Sequence, residues 1–240
     1  MAEKIREAKR AAAYQAVDDW VKDGMVVGIG SGSTVVFVVE KIVADVRDGR
    51  YKDLVCVPTS FQSKQLIEQG GLRLGSLESH PDLDVAIDGA DECDAALNCI
   101  KGGGGCHALE KLVAWRAKTF VIVADHTKQS QRLGQRWQKG IPIEVLPAAH
   151  VCVSRALSKL ELVPTLRMAQ AKAGPVVTDS GNFIIDAQFP EHLGAPDALH
   201  TLAQSISAMP GVLDHGLFLG MARKAYFGQA DGTVVAADAA

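Results

Sequence analysis

Short apolar runs alternate with amphipathic stretches over the first half of the chain. The amphipathic stretches predict helices over 3–22, 31–46, 61–71 and 107–118. The apolar runs predict short strands: MVVGIG (25–30), LVCVPTS (54–60), LRLGS (72–76), DVAIDGA (84–90) and TFVIVAD (119–125). Short apolar strands joined by helices are typical of a parallel sheet that is buried on both faces. The pattern therefore predicts an α/β fold with a mostly parallel sheet.

The pattern changes from about Lys139 onward. Residues 139–160 and 174–189 predict the order strand, helix, strand, turn, strand. This order indicates a smaller α+β unit with antiparallel pairing. Residues 211–237 predict further strands, the last two joined by a hairpin at the Asp231-Gly232 pair.

Composition and charge exclude several classes of protein. The 240 residues are 48% hydrophobic, enough for one large domain or two small ones. Lys plus Arg number 25 against 28 Asp plus Glu, so the chain lacks the basic excess of nucleic-acid binders. No apolar run approaches the roughly 20 residues that span a bilayer, and the charged start lacks the apolar core of a secretory signal. The five cysteines contain no CxxC pair, which argues against a disulfide framework or a zinc site. We expect a cytosolic protein.

The segment GIGSGST (28–34) follows a predicted strand and opens a predicted helix. Backbone N–H groups and the helix dipole favour anions at such a position. A dinucleotide site is disfavoured because Ser33 stands where the Rossmann fingerprint requires glycine, and an NTPase is disfavoured because the Walker A lysine is missing. The segment therefore predicts a phosphate site at Ser31, Gly32, Ser33 and Thr34; the alternative is a tight turn with a Ser/Thr cap. The segment PTS (58–60) ends the next strand and is expected at the same edge of the sheet.

A second set of polar residues lies in DGADE (88–92) and KGGGGCHALEK (101–111). Glycines without a Cβ let the main chain approach a ligand and direct its N–H groups toward it. Lys101 is suited to stabilise a negative charge that develops during a reaction, and Glu110 is suited to act as a general base. The acids Asp88 and Asp91 alone also fit a metal site or solvated loop residues. However, Lys101 would compete with a cation, so we expect no metal.

These motifs, in this order, resemble the type A ribose-5-phosphate isomerase family. The residues of several motifs are closer to the eukaryotic branch of the family than to the bacterial one. The resemblance rests on GIGSGST, PTSFQS, DGADE, KGGGG followed by EK, and VADHTK (123–128), and it extends to GIPIEV, GPVVTDSGNFI and PGVLDHGLF. It implies an aldose–ketose isomerase without a cofactor that interconverts D-ribose 5-phosphate and D-ribulose 5-phosphate in the non-oxidative pentose phosphate pathway. It also implies a Rossmann-like domain (1–136 and 211–240), an inserted α+β, ferredoxin-like domain (137–210), and a homodimer. The charge balance and the lack of a long apolar run predict no nucleic-acid or membrane partner.

The resemblance also implies roles for single residues. Glu110 corresponds to the base that moves a proton between C2 and C1 through a cis-enediolate, and Lys101 to the oxyanion-stabilising lysine. Asp88 corresponds to the acid that assists ring opening and hydroxyl proton transfer. The implied substrate-binding residues are Ser31, Gly32, Ser33, Thr34, Asp88, Gly89, Ala90, Asp91, Lys101, Gly102, Gly103, Gly104 and Lys128.

One segment departs from the family pattern. The family commonly has Leu-Thr followed by Arg or Gln before the Glu-Lys pair, whereas this chain has His107, Ala108 and Leu109. The spacing from Lys101 to Glu110 is intact, so we expect a working enzyme with altered kinetics.

Two other classes of protein share parts of this pattern. One is a CoA transferase or an amino-sugar-phosphate isomerase of the same broad fold; a CoA transferase would form a covalent thioester. The other is a sugar-phosphate sensor, which would normally carry a DNA-binding module for which this chain has neither the length nor the basic charge.

Overall fold

The structure is a computed structural model that describes residues 2–239. Its α-helices are α1 (Ala2–Trp20), α2 (Val35–Arg47), α3 (Phe61–Gln69), α4 (His107–Arg116), α5 (His150–Ser158) and α6 (Pro196–Ser207). Its first strands are β1 (Val26–Ile29), β2 (Val55–Pro58), β3 (Arg73–Leu74), β4 (Leu83–Asp88), β5 (Glu92–Cys93), β6 (Cys99–Ile100) and β7 (Ala117–Asp125). The remaining strands are β8 (Ile141–Val145), β9 (Val163–Leu166), β10 (Phe183–Gln188), β11 (Val212–His215), β12 (Leu217–Phe218), β13 (Lys224–Gly228) and β14 (Val234–Asp238).

The described chain divides into two compact units. Unit 1 comprises the residues up to Ala90, Leu109–Gln129 and the residues from Gly220 onward. Unit 2 comprises Asp91–Ala108 and Ser130–Leu219. The domain limits expected from the sequence stay a prediction.

Unit 1 is built on a seven-stranded sheet of order β14-β13-β7-β4-β1-β2-β3. All neighbours are parallel except β14, which pairs antiparallel with β13 through the expected hairpin. Ile29 of β1 aligns with Ile87 of β4, and Ile87 aligns with Val121 of β7; all three are fully buried. The predicted parallel sheet is confirmed, and the carboxyl ends of its parallel strands lie along one edge.

Helix α1 lies very close to this sheet because its inner face consists of small side chains. Ala8, Ala12 and Ala16 are fully buried. A Cβ atom at Gly228 of β13 would lie 1.8 Å from the carbonyl oxygen of Ala8. Only glycine therefore permits this approach of helix and strand.

Unit 2 contains a four-stranded antiparallel sheet of order β11-β8-β10-β9, with α5 following β8 and α6 following β10. This chain order and strand order form the split βαβ, ferredoxin-like arrangement that the resemblance implies. The core of the unit is aliphatic, with Ile143, Leu157 and Ile185 fully buried. The Rossmann-like α/β fold with a smaller α+β unit is therefore confirmed.

The sequence analysis missed or misplaced some elements of unit 2. It did not predict α6 or the three-stranded sheet of order β12-β6-β5. The strand expected at the start of 174–189 is wrong, because those residues form only an isolated bridge between Met168 and Pro175 before β10. The segment instead surrounds the buried carboxylate of Glu144, which accepts hydrogen bonds from Thr178 Oγ1 at 2.7 Å and Asn182 Nδ2 at 3.0 Å.

Within residues 2–239, no helix combines the length and the apolar character that crossing a membrane requires.

Candidate active site

Hydroxyl groups gather at the carboxyl ends of β1 and β2 in unit 1. Ser31 Oγ lies 2.8 Å from Thr59 Oγ1 and donates to Ser60 Oγ at 2.6 Å. Ser60 also caps α3, since its Oγ accepts from the Ser63 N–H at 3.1 Å. We call the residues Ser31, Ser33, Thr59, Ser60 and Asp88 the edge cluster. The expectation that PTS (58–60) shares an edge with the glycine-serine segment is confirmed.

Asp88 ends β4 and is 2% exposed. Its Oδ1 accepts hydrogen bonds from the Ser31 N–H at 3.0 Å and from the Gly89 N–H at 2.7 Å. A Cβ at Gly30 would lie 2.0 Å from the same oxygen, so glycine is required for the strand end to pass this carboxylate. The two N–H donors fix the orientation of the carboxylate inside unit 1.

The loop before α2 has the predicted strand-to-helix geometry, but some of its groups bind protein atoms. The Gly32 N–H donates to Gln62 Oε1 at 2.8 Å, in addition to the bonds of Ser31. Thr34 stands at the N-cap of α2 and its side chain makes no cap hydrogen bond, so the turn lacks the cap of the alternative interpretation, and the phosphate site stays a prediction. The Ser31 and Gly32 N–H groups therefore donate to protein side chains in this structure.

The structure adds a cation to the edge cluster that the sequence analysis missed. Lys9 of α1 donates from Nζ to Ser33 Oγ at 3.0 Å, and the same Nζ lies 3.9 Å from Asp125 Oδ2. Lys9 is one of several basic residues on an amphipathic helix, so only the packing of α1 distinguishes it. A lysine beside a serine hydroxyl and a helix N-terminus favours anion binding at this point of unit 1.

Lys128 lies in the short 3₁₀ turn His126–Lys128 that follows β7. Asp125 holds this turn, because its Oδ1 accepts from the Thr127 N–H at 3.0 Å and from the Thr127 hydroxyl. The prediction that Lys128 lies just beyond the carboxyl end of a strand of the sheet is confirmed.

Asp91 and the four glycines lie in unit 2, where we call Gly102–Gly105 the glycine loop. The Gly103 N–H donates to Asp91 Oδ2 at 2.6 Å. A Cβ at Gly103 would lie 2.5 Å from Asp91 Oδ1 and 2.7 Å from the Trp137 ring. Gly102 has a φ of +103° and Gly105 a φ of +82°, both in the region that favours glycine. Gly102, Gly103 and Gly105 thus allow close packing against protein side chains, and the predicted approach of this run to a ligand stays a prediction.

Lys101 precedes the glycine loop and is only 3% exposed. Its Nζ lies 5.3 Å from the centroid of the Phe218 ring, a cation–π distance. Its backbone N–H donates to the Gly216 carbonyl at 2.8 Å, which continues the pairing of β6 with β12. The small sheet therefore fixes the backbone of Lys101.

Glu110 lies in the first turn of α4 and is 6% exposed. The preceding His107, which begins the helix, is fully buried. Its ring packs on the glycine loop so closely that a Cβ at Gly102 would lie 2.7 Å from His107 Nδ1. Of the three residues that depart from the family pattern, His107 therefore packs against Gly102, the first glycine of the loop.

Glu92 is a second residue whose importance the sequence analysis missed. Its fully buried carboxylate accepts backbone N–H bonds from four consecutive residues of unit 2 at 2.7–3.3 Å: Gly134, Gln135, Arg136 and Trp137. Trp137 is the residue that packs against Gly103. Glu92 therefore holds the loop that supports the glycine loop; a glutamate after DGAD gives no sequence signal of this role.

Within the described part of the chain, no three His, Cys, Asp or Glu side chains group as metal ligands would. Unit 1 contains hydroxyl groups, the lysines Lys9 and Lys128 and the acids Asp88 and Glu110, and unit 2 contains Asp91 and the buried Lys101. Such groups bind phosphate and hydroxyl groups and stabilise anionic intermediates.

Comparisons with known proteins identify the family of the chain. Residues 55–232 match the family model of ribose 5-phosphate isomerase A (phosphoriboisomerase A). The chain is 56% identical to a ribose-5-phosphate isomerase of Dictyostelium discoideum over 95% of this chain and 97% of that protein. It is 52% identical to that of Homo sapiens over 96% of this chain and 73% of that protein. A solved D-ribose-5-phosphate isomerase in complex with phospho-erythronic acid superposes with a TM-score of 0.90 at 37% identity, over 98% of this chain and 99% of that one. The chain belongs to the ribose 5-phosphate isomerase A family.

Proposed function

We propose that this chain interconverts D-ribose 5-phosphate and D-ribulose 5-phosphate through a cis-enediolate, in the non-oxidative pentose phosphate pathway. The observation that carries the proposal is its 56% identity to a ribose-5-phosphate isomerase over nearly its whole length. The buried Glu110 and Lys101 supply the base and the cation that such a reaction needs. Family membership argues against both alternatives, the CoA transferase or amino-sugar-phosphate enzyme and the sensor.

The roles of the catalytic residues follow from the chemistry of the enediolate. Glu110 takes the C2 proton of the open-chain aldose and returns a proton to C1, while the proton of the C2 hydroxyl is transferred to the C1 oxygen. Lys101 stabilises the negative charge that develops on oxygen. Asp88 assists ring opening and the transfer of the hydroxyl proton. A lysine and backbone N–H groups suit this charge, and we propose no cofactor.

The remaining residues bind the substrate. We assign the phosphate to the loop Ser31, Gly32, Ser33 and Thr34, chiefly to Ser33 and Thr34 because the Ser31 and Gly32 N–H groups donate to Asp88 and Gln62. We add Lys9 because its ammonium lies at Ser33. Lys128 supplies a second positive charge. The sugar hydroxyls are assigned to Asp88, Gly89, Ala90, Asp91, Lys101, Gly102, Gly103 and Gly104.

The direct test is ribulose 5-phosphate formation from ribose 5-phosphate by the purified protein, with and without EDTA. We expect turnover that is unchanged by EDTA. Wild-type protein without turnover would contradict the proposed reaction. Turnover that EDTA abolishes would contradict the metal-free chemistry.

We further propose a cytosolic homodimer, with the domain limits that the sequence predicts, 1–136 with 211–240 and 137–210. Unit 2 exposes large apolar side chains, Leu146, Val151 and Leu213, which are 54%, 47% and 53% exposed and suit a partner surface. Light scattering should give twice the 25.5 kDa of one chain; a monomer mass would contradict the dimer. Microscopy of a tagged chain should show cytosolic signal rather than an organelle.

A further inference from the structure

Arg167, which follows β9 in unit 2, contacts the glycine loop from the side opposite to Asp91. Its Nη1 donates to the Gly102 carbonyl oxygen at 2.9 Å and to the Gly103 carbonyl oxygen at 3.3 Å. The side chain of Arg167 is 15% exposed. No motif of the sequence points to this residue, because it lies 64 and 65 positions from the two glycines.

The guanidinium of Arg167 is itself fixed by Asp186 of β10. Nε donates to Asp186 Oδ2 at 2.8 Å, and Nη2 donates to Asp186 Oδ1. A two-point pair of this kind sets the plane of the guanidinium, and only the forked, planar group of arginine can make it while a third nitrogen remains for the carbonyls. The β9-β10 pairing holds both residues, since Asp186 lies opposite Thr165.

The peptide between Gly102 and Gly103 is thereby held at both ends. Its carbonyl oxygen accepts from Arg167, and its N–H donates to Asp91 Oδ2 at 2.6 Å. In a trans peptide the N–H points opposite to the carbonyl. The bond from Arg167 to the Gly103 carbonyl therefore directs the next N–H, that of Gly104, away from Arg167.

We infer that Arg167, fixed by Asp186, is a positioning residue that sets the orientation of the glycine-loop peptides for isomerisation. A run of glycines has many accessible backbone conformations, so its N–H groups are preorganised only if other groups hold them. This inference rests on the proposed function, since it assigns Arg167 to the loop that binds the sugar. It extends the site to a pair that acts through the glycine loop.

The test uses Arg167→Met and Arg167→Lys in the purified full chain, with Arg132→Met as the matched control. Arg132 also lies in unit 2 and pairs with an acid, Glu191, at 2.7 Å. We expect kcat to fall about 10- to 100-fold in both Arg167 variants, as for a donor misplaced by about 1 Å, while KM changes less than about threefold. Arg167→Lys keeps the charge beside Asp186 but cannot bond the carboxylate at two points and the carbonyls together, so it should not restore kcat.

Several outcomes separate this inference from its alternatives. Wild-type kcat in Arg167→Lys or in a folded Arg167→Met would overturn the inference. A loss confined to KM, or an equal loss in Arg132→Met, would also overturn it. If Arg167→Met fails to fold, the kcat of Arg167→Lys alone decides between the two results. An inactive wild-type chain would instead overturn the proposed function, and the inference with it.

Discussion

The edge cluster of unit 1 and the glycine loop of unit 2 are positioned in different ways. In the edge cluster, every residue except Ser33 stands within two positions of a parallel strand, so the sheet itself fixes Ser31, Thr59 and Asp88. In the glycine loop, side chains from distant parts of unit 2 hold a segment that has none of its own. The difference teaches that backbone N–H groups without regular structure need side-chain partners to be preorganised.

The comparison also predicts that the two regions affect different kinetic constants. The hydroxyl groups of the edge cluster, together with Lys9, should contribute mainly to substrate binding, whereas Asp88 keeps the catalytic role proposed above. Lys101 and the glycine loop should contribute mainly to the stabilisation of charge in the transition state. Binding that is equal in both states changes KM, whereas an interaction made only in the transition state changes kcat. The following predictions test this difference, from the largest expected effect to the smallest.

Replacing Lys101 by Met should lower kcat about 10²- to 10³-fold, the usual loss for one oxyanion-stabilising group. KM should change little, because the ground-state sugar carries no charge at this position. Steady-state kinetics with ribose 5-phosphate measure both constants, and the exposed Lys159→Met serves as the control. A rise in KM at wild-type kcat would mean that Lys101 contributes to substrate binding, and it would contradict the proposed difference between the two regions.

Replacing Glu92 by Gln should destabilise the protein by about 2–3 kcal/mol. The NH₂ group of a glutamine would face two of the backbone N–H groups from which the carboxylate now accepts hydrogen bonds. Urea unfolding measures the loss. The control is Glu191→Gln, whose side chain is 78% exposed and should change stability by less than about 1 kcal/mol. Equal midpoints for the two variants would mean that Glu92 does not hold the loop.

Replacing Lys9 by Met should raise KM about tenfold, which corresponds to about 1.4 kcal/mol of binding, while kcat stays within about twofold. The ammonium at Ser33 is suited to the phosphate, which keeps its charge through the reaction. The exposed Lys4→Met on the same helix should leave both constants unchanged. A fall in kcat without a rise in KM would contradict the assignment of Lys9 to phosphate binding.

Replacing Asp84 by Asn should cost about 0.5–1 kcal/mol at pH 7. The hydrogen bonds from Lys118 and from the Val26 N–H hold the pKa of Asp84 below its usual 3.8. A lowered folded-state pKa contributes stability that is present above pH 3.8 and lost as pH falls through the folded pKa. Urea unfolding of both proteins should therefore show the difference at pH 7 and at pH 5, and not in stronger acid. A difference that grows in acid would contradict this account.

Much of unit 1 could be predicted from the sequence. Few of the side-chain contacts that hold the glycine loop in unit 2 could be predicted. The apolar runs before Ser31, Thr59 and Asp88 predict strands whose ends share an edge, so local pattern suffices. Lys9, Glu92, Arg167 and Asp186 acquire their partners only when the chain folds, and their local sequence does not indicate those partners, even though Glu92 lies in DGADE and Asp186 in a predicted strand. The strand expected near Val176 fails because Pro175 lacks an N–H and because the buried Glu144 draws the segment into side-chain hydrogen bonds.

The most direct test of the central claim is the isomerisation rate of Glu110→Gln beside wild type and the exposed control Glu68→Gln, in EDTA and with thermal unfolding measured in parallel. A glutamine keeps the size of the side chain and removes the base. We predict normal turnover in wild type and Glu68→Gln, and a loss of about 10³-fold or more in folded Glu110→Gln, within the range that general bases contribute. Turnover of Glu110→Gln within about tenfold of wild type would contradict the assignment of Glu110 as the base.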